Sequence, residues 1–123
     1  MIHLRLPTPP SANRYWRTTR AGRRPYLSEE AKAYKVAVRA VARSCGLPGP
    51  FLGKVAVSFL WTRAIRSGDL DNRKKVLFDA LQGIAYVNDS QIVEIHAWMR
   101  DRDMGTPGVM VQVSEALTVC PFG

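Results

Sequence analysis

Residues 54–62, Lys-Val-Ala-Val-Ser-Phe-Leu-Trp-Thr, decide the fold of this chain. Val55, Val57, Phe59 and Trp61 occupy alternate positions, so they share one face of an extended segment. The residues between them are small or apolar, so the other face is not strongly polar either. A strand with little polar character on both faces is typical of the interior of a sheet. The segment therefore predicts a central strand.

The segments before this strand predict an edge strand, a loop and a helix. Residues 2–6 alternate apolar and polar side chains and are followed by Pro7, which is typical of a short, half-buried strand. Residues 11–27 are polar and rich in arginine and predict a loop. Ser28 is a good helix cap, and apolar residues then recur at helical spacing as far as Gly46: Tyr34, Val38 and Val41.

The segments after the central strand predict a second helix and two more strands. The helix is expected from Asp71 or Asn72 to Gln82, with Gly83 ending it. The turn 88–90 precedes a strand at 91–100, and a final strand is expected near 109–113. The whole chain, 1–123, is therefore expected to form a single α+β domain, with a tail from about residue 115. The domain is a mixed β-sheet packed with two main helices in the order β-α-β-α-β-β.

Composition narrows the class of protein. The hydrophobic share of 46% is ordinary for a globular domain, and no apolar run approaches the roughly 18 residues of a membrane span. The N-terminus does not have the pattern of a signal peptide, so no membrane partner and a cytoplasmic location are expected. Cys45 and Cys120 lack the spacing of a zinc site and are expected to be free thiols.

The charge is divided unevenly along the chain. The chain has 18 Lys and Arg against 10 Asp and Glu, a net charge of +8. Residues 1–68 carry a net charge of +11, whereas residues 69–123 carry −3. A basic surface attracts polyanions, of which nucleic acid is the commonest partner. Clustered carboxylates repel phosphate unless a cation lies between them, so the contrast suggests a metal site.

The carboxylates lie at positions that suit such a site. Asp69 and Asp71 are two residues apart at the junction of a strand end and a helix start, so both can face one hard cation. Asp89 follows the second helix, and the loop before it is expected to bring it back toward the start of that helix. Lys75 shares a helix face with Asp71 and could stabilise a phosphate on which charge develops. The chemistry would be hydrolysis of a phosphodiester by metal-activated water.

Each of these residues also has a structural interpretation. Asp71 or Asn72 could be a helix cap, Asp89 a turn residue, and Lys75 the partner of Asp79 in a surface ion pair. An EF-hand is excluded, because Arg73 and Lys74 occupy its fifth and sixth positions. The residues alone therefore leave a metal-dependent nuclease and a non-catalytic DNA-binding module both open.

Five segments resemble a known family. They are Pro9-Pro10-Ser11-Ala12-Asn13-Arg14-Tyr15-Trp16-Arg17, Asp69-Leu70-Asp71-Asn72, Lys75, Phe78-Asp79-Ala80-Leu81 and Asn88-Asp89-Ser90-Gln91-Ile92. Their order and intervals resemble the RusA family of Holliday junction resolvases, which are prophage-associated endodeoxyribonucleases. The resemblance extends from the first strand to about residue 114.

The resemblance implies a homodimeric enzyme of DNA recombination and repair in a bacterium or phage. It implies that paired symmetric nicks resolve a four-way DNA junction, with Mg²⁺ as cofactor and Mn²⁺ as a possible substitute. It also implies that Asp69, Asp71 and Asp89 hold the metal and that Lys75 is catalytic. We expect DNA contacts from the arginine-rich loop and from basic or polar residues around the acidic motif: Asn13, Arg14, Tyr15, Arg17, Arg20, Arg23, Arg24, Arg63, Arg66, Asn72 and Lys74.

Two other functions are considered. One is a non-catalytic protein that binds branched DNA, in which the acids are only helix caps. The other is a metal-dependent phosphohydrolase of nucleotides. The extended arginine-rich loop argues against the second, because a small substrate does not need so long a basic surface.

Overall fold

The segment at 54–62 is an inner strand of a four-stranded sheet. The computed structural model describes residues 1–11, 16–18, 25–66, 68–116 and 121–122. Its elements, in chain order, are β1 (Ile2–Leu6), β2 (Trp16–Thr18), β3 (Pro25–Leu27), α1 (Glu29–Ser44), β4 (Val55–Arg63), α2 (Leu70–Ala80), β5 (Ile92–Asp101) and β6 (Gly108–Glu115). The order of strands in the sheet is β1-β6-β4-β5.

The sheet is mixed. β6 pairs antiparallel with both β1 and β4, whereas β4 and β5 are parallel and are connected through α2. A parallel pair needs such a crossover because the chain must return to the end at which the first strand began. The predicted α+β class and the order of the main elements are confirmed.

The N-terminal loop prediction is wrong for six residues. β2 and β3 pair antiparallel as a separate two-stranded ribbon, with Arg17 opposite Tyr26. The segments are only three residues long, too short for alternation to identify them in the sequence. The arginine-rich composition predicts a loop, whereas backbone pairing between the two segments makes them strands.

One face of the sheet carries the core. The bulky alternate residues of β4 are all buried, as are those of β1 and β6 on the same face. α2 packs on this face, where the rings of Phe59 and Phe78 meet edge to face with centroids 5.9 Å apart. The opposite face of β4, with Ser58 and Leu60, is half-buried and has no described helix on it. β4 is therefore central within the sheet but is covered by helices on one side.

Both helices begin at side-chain caps. The hydroxyl of Ser28 accepts the backbone N–H of Ala31 at 3.2 Å, as the sequence predicts for the start of α1. α2 starts earlier than predicted, because Asp69 rather than Asp71 is its cap and accepts the N–H of Asp71 at 3.0 Å. It also ends two residues earlier than predicted, at Ala80. Neither helix, nor any other among the described residues, is long and apolar enough to span a membrane.

Candidate metal and DNA site

Asp69 and Asp71 form a pair of carboxylates at the start of α2. Asp69 has the extended backbone of a helix cap, and Asp71 lies in the first turn. Both residues are exposed. The N-terminal end of a helix carries a partial positive charge, so it stabilises carboxylates placed there. The pair presents oxygen ligands of the kind that Mg²⁺ prefers, and one or two protein carboxylates are typical for that ion.

Two lysines of the next turn surround Asp71. Lys74 Nζ lies 3.0 Å from Asp71 Oδ1, and Lys75 Nζ lies 4.0 Å from Asp71 Oδ2. The hydrogen bond and the charge of Lys74, with a smaller contribution from Lys75, lower the pKa of Asp71 below its usual value. Asp71 is therefore ionised over a wider pH range, as a metal ligand must be. Lys75 thus lies beside Asp71, and Lys35 of α1 lies 3.1 Å from Asp79.

Asp89 begins a 3-10 helix, Asp89–Gln91, that has a capping box. The side chain of Asn88 accepts the N–H of Ser90 at 2.9 Å, and the Gln91 side chain accepts the N–H of Asn88 at 2.9 Å. The backbone N–H of Asp89 donates to Gln82 Oε1 at 3.3 Å. Gln82 lies two residues after the end of α2, so Asp89 is held beside the C-terminal end of that helix.

The pKa of a neighbouring residue, Tyr86, is consistent with this position of Asp89. Burial raises the pKa of Tyr86 well above its usual value, and the negative charges of Asp89 and Asp79 raise it further. Asp79 lies in the last turn of α2. The negative charge of Asp89 therefore acts on the same side chain as the charge of Asp79, at the C-terminal end of α2.

The prediction that Asp89 comes back toward the start of α2 is wrong within one chain. β5 begins where β4 begins, with Ile92 opposite Val55, whereas Asp69 follows the other end of β4. At about 3.3 Å per residue, the nine residues of β4 separate the two ends by roughly 26 Å. Within the described part of the chain, no group of three acidic, histidine or cysteine residues could hold a metal ion. The assignment of Asp89 as a metal ligand remains a prediction, but one chain does not bring it to Asp69 and Asp71.

The residues predicted to contact DNA differ in their surroundings. Arg63 is engaged within the fold, because its Nε and Nη2 donate to Asp101 Oδ1 at 2.9 and 2.6 Å. Arg66 lies 3.5 Å from the other oxygen of Asp101 but has a side chain that is 79% exposed, so it can reach a phosphate. Asn72 and Lys74 are partly exposed beside the carboxylate pair. Of the rest, Arg17 lies in β2, of which only the backbone is described, and six lie outside the described residues: Asn13, Arg14, Tyr15, Arg20, Arg23 and Arg24.

The sequence did not predict which residues hold the segments that carry Asp69, Asp71 and Asp89 in place. Arg73 donates to the carbonyl oxygen of Pro9, and its guanidinium lies over the Trp61 ring, 5.2 Å from the centroid. No local pattern predicts these contacts, because they join distant parts of the chain. Gln91 holds the turn before β5. This role could be predicted from the sequence, because the spacing Asn88-x-x-Gln91 is that of a capping box.

The fold and the site define a small, basic α+β protein with an exposed carboxylate pair at a helix N-terminus. Residues 7–114 match the family Endodeoxyribonuclease RusA. The chain is 35% identical over 97 residues to the crossover junction endodeoxyribonuclease rusA of Enterobacteria phage 82, covering 75% of this chain and 77% of that protein. It is also 35% identical over 94 residues to the crossover junction endodeoxyribonuclease RusA of Escherichia coli (strain K12), covering 72% and 74%. The chain therefore belongs to the RusA family of endodeoxyribonucleases, as the resemblance in its sequence predicts.

Proposed function

We propose that this chain is a metal-dependent endodeoxyribonuclease that resolves four-way DNA junctions by paired, symmetric nicks. The observation that carries the proposal is the exposed pair Asp69 and Asp71 at the N-terminal end of α2, in a chain of the RusA family. A bound Mg²⁺, or Mn²⁺ in its place, would supply an activated water and neutralise charge on the phosphodiester. The lowered pKa of Asp71 suits this role, because the carboxylate must be ionised to bind the cation.

The residues of α2 have separate roles in this proposal. Asp69 and Asp71 bind the cation through carboxylate oxygens. Lys75, whose side chain is 68% exposed, donates to the scissile phosphate and stabilises the charge that develops on it. Lys74 and Asn72 position the DNA backbone beside the carboxylate pair, and Arg66 adds a phosphate contact near the same end of β4.

The third carboxylate requires a second copy of the chain. Asp89 lies at the opposite end of α2 from Asp69, so the three acids cannot share one cation within a single chain. In a two-fold dimer, Asp89 of one copy could complete the pair of the other copy. Two such sites, related by the two-fold axis, would match the two equivalent strands that are cut in a junction.

The test of the proposal is Asp71→Asn. We expect this variant to lose cleavage of a synthetic four-way junction in Mg²⁺, by at least about a hundredfold, while it still binds the junction, because the amide keeps the shape but not the ligand charge. Asp103→Asn is the matched control, since Asp103 is an exposed acid outside α2. Cleavage by Asp71→Asn at the rate of the control would refute the metal assignment. Cleavage of the junction should also be compared with cleavage of linear duplex DNA and of nucleotides.

One observation favours the second candidate, a non-catalytic protein that binds branched DNA. Asp69 is a helix cap and Asp71 is paired with two lysines, so each acid has a structural role without a metal. This alternative predicts salt-dependent junction binding with no nicking in Mg²⁺ or Mn²⁺. The same junction assay therefore separates the two functions.

We place this activity in DNA recombination and repair, in the cytoplasm of a bacterium or of a phage-infected cell. The prophage association that the sequence resemblance implies supports this setting.

A further inference from the structure

The last turns of α1 and the segment after α2 enclose an open pocket of about 380 Å³. Two exposed arginines, Arg39 and Arg43, line it from α1, and residues 82–84 line it from the other side. The rest of the lining is glycine or apolar, and no acidic residue of the described part of the chain belongs to it. We call it the arginine pocket. Its two cations make it suited to an anion.

An ion pair one turn earlier on α1 sets the position of the arginine pocket. Lys35 Nζ lies 3.1 Å from Asp79 Oδ2, which ties α1 to the last turn of α2. Lys35, Arg39 and Arg43 are spaced by four residues, so they lie along one face of α1. The two arginines continue the row that Lys35 begins and face the segment that follows α2.

The two arginines differ from Lys35 in their pairing. Neither forms an ion pair with any acid among the residues that the structure describes. Like charges four residues apart repel each other and disfavour the helix. Arg43 lies in the last turn, where the negative end of the helix favours a cation, but Arg39 lies before that turn. A bound anion would reduce the repulsion between both arginines.

The backbone around the pocket leaves room for a bulky anion. Gly46, Gly49 and Gly83 belong to the lining, and a Cβ added at any of them would meet no heavy atom within 4 Å. A guanidinium group presents several N–H donors in one plane and binds phosphate oxygens in pairs. Two such groups beside an open rim suit phosphates that belong to a longer chain, which can enter and leave the pocket on either side.

We propose that the arginine pocket binds backbone phosphates of the DNA strand close to the cut, an inference that rests on the proposed function for the identity of the ligand. Gln82 lines the pocket, and its Oε1 accepts the backbone N–H of Asp89 at 3.3 Å. A strand held by Arg39 and Arg43 therefore passes beside the segment that carries Asp89. The two arginines are positioning residues, because they hold the strand and do not touch the reacting atoms.

The salt dependence of junction binding tests the pocket without any cleavage. The variant Arg39→Gln with Arg43→Gln is compared with the unmodified chain, and the affinity for a four-way junction is measured at several salt concentrations without divalent metal. Each lost phosphate contact makes the slope of log affinity against log salt shallower by about 0.9, so we expect about 1.8 for each chain that contacts the junction.

A second pair of substitutions controls for net charge. Arg5→Gln with Lys32→Gln removes the same charge from β1 and from the first turns of α1, where Lys32 is paired with Glu29. We expect this variant to keep the slope of the unmodified chain. An equal change of slope in the two double variants would show a general effect of charge and overturn the assignment of the pocket.

Neutral phosphate analogues locate the contact on the DNA. Single phosphates on either side of the cut are replaced by methylphosphonates, which lack the negative charge. We expect the unmodified chain to lose affinity at specific positions, and the Arg39→Gln, Arg43→Gln variant to be insensitive at those same positions, because the contact is already lost. Equal sensitivity of the two proteins at every position would contradict the proposal.

The outcomes separate the pocket from the activity. A chain that nicks junctions in Mg²⁺, but whose salt slope is unchanged by Arg39→Gln with Arg43→Gln, would overturn the pocket and leave the nuclease proposal intact. A chain that shows the expected change of slope but never nicks DNA would support the pocket and refute the proposed nuclease function.

Discussion

At the scale of single residues, Asp71 is the best-defined member of the site. Its carboxylate is exposed, yet it is bonded to Lys74 and lies near Lys75. These cations keep its pKa low before any metal binds. The same lysines would compete with the proposed metal ion for the carboxylate oxygens. Bound DNA would relieve this competition by offering phosphates to the lysines, so metal and DNA binding should support each other.

Replacing Lys74 should change the titration of Asp71. We expect Lys74→Met to raise the pKa of Asp71 toward its usual value, because both the hydrogen bond and the largest favourable charge are removed. A lowered pKa stabilises the fold above the unfolded-state pKa, and this contribution is lost as the pH falls through the folded-state value. In the variant this contribution should therefore be smaller, because the folded-state pKa lies closer to the unfolded-state value, and its loss should end at a higher pH. The carboxyl chemical shift followed by NMR measures the pKa directly.

Lys32→Met is the control for this titration. Lys32 pairs with Glu29 on α1, far in sequence from the acidic motif, so its loss should leave Asp71 unchanged. An Asp71 titration that is the same in Lys74→Met and in the unmodified chain would contradict the assigned cause.

At the scale of elements, the orientation of α2 depends on contacts at its first turns. Arg73 links three parts of the chain, since it reaches Pro9 after β1 and lies over Trp61 near the end of β4. Gly68, just before Asp69, has a backbone φ of +108° and is so close to Trp61 that an added Cβ would lie 2.8 Å from the ring. The turn that carries the carboxylate pair is therefore held between Trp61 and Arg73.

Arg73→Met tests this anchor. The methionine can still pack on Trp61 but cannot donate to the Pro9 carbonyl. We expect the free energy of unfolding to fall by about 1–3 kcal/mol, measured by urea denaturation. Arg39→Met on the exposed surface of α1 is the control and should change stability by less than about 0.5 kcal/mol. Equal stability of the two variants would show that the Arg73 contacts do not anchor the helix.

At the scale of the whole molecule, the crossover through α2 separates Asp89 from the other two acids. If a dimer completes the site, variants in different parts of the site should complement one another. A mixed dimer of Asp71→Asn and Asp89→Asn would contain one site with both substitutions and one intact site. After random exchange of subunits, about a quarter of all sites would be intact. We therefore expect nicking of one strand to return when the two inactive variants are mixed.

A second mixture provides the control for complementation. Asp69 and Asp71 lie on the same segment, so a mixed dimer of Asp69→Asn and Asp71→Asn leaves every site with one substitution. This mixture should stay inactive. Recovery in both mixtures, or in neither, would contradict a site that takes Asp89 from the second copy.

The sequence by itself determined the main elements, their order along the chain and the family. Apolar residues alternate in 54–62 and recur at helical spacing in α1 because one face of each element is buried. This periodicity can be read from a short stretch of sequence. The acidic motif and its lysines were also visible, because Asp71, Lys74 and Lys75 lie within two turns of one helix. Helix bounds were less accurate, since Asp69 and Asp71 are both good caps and only the backbone decides between them.

The tertiary structure alone decided how the separated segments are related. Three contacts join residues that are distant in sequence: β2 pairs with β3, Arg63 donates to Asp101, and Arg73 donates to the carbonyl oxygen of Pro9. The position of Asp89 is the clearest case. Loop length allowed it to reach the start of α2, but the parallel pairing of β4 with β5 fixed it at the other end of the sheet. Strand direction is set by hydrogen bonds and burial across the whole sheet, and no local spacing contains that information.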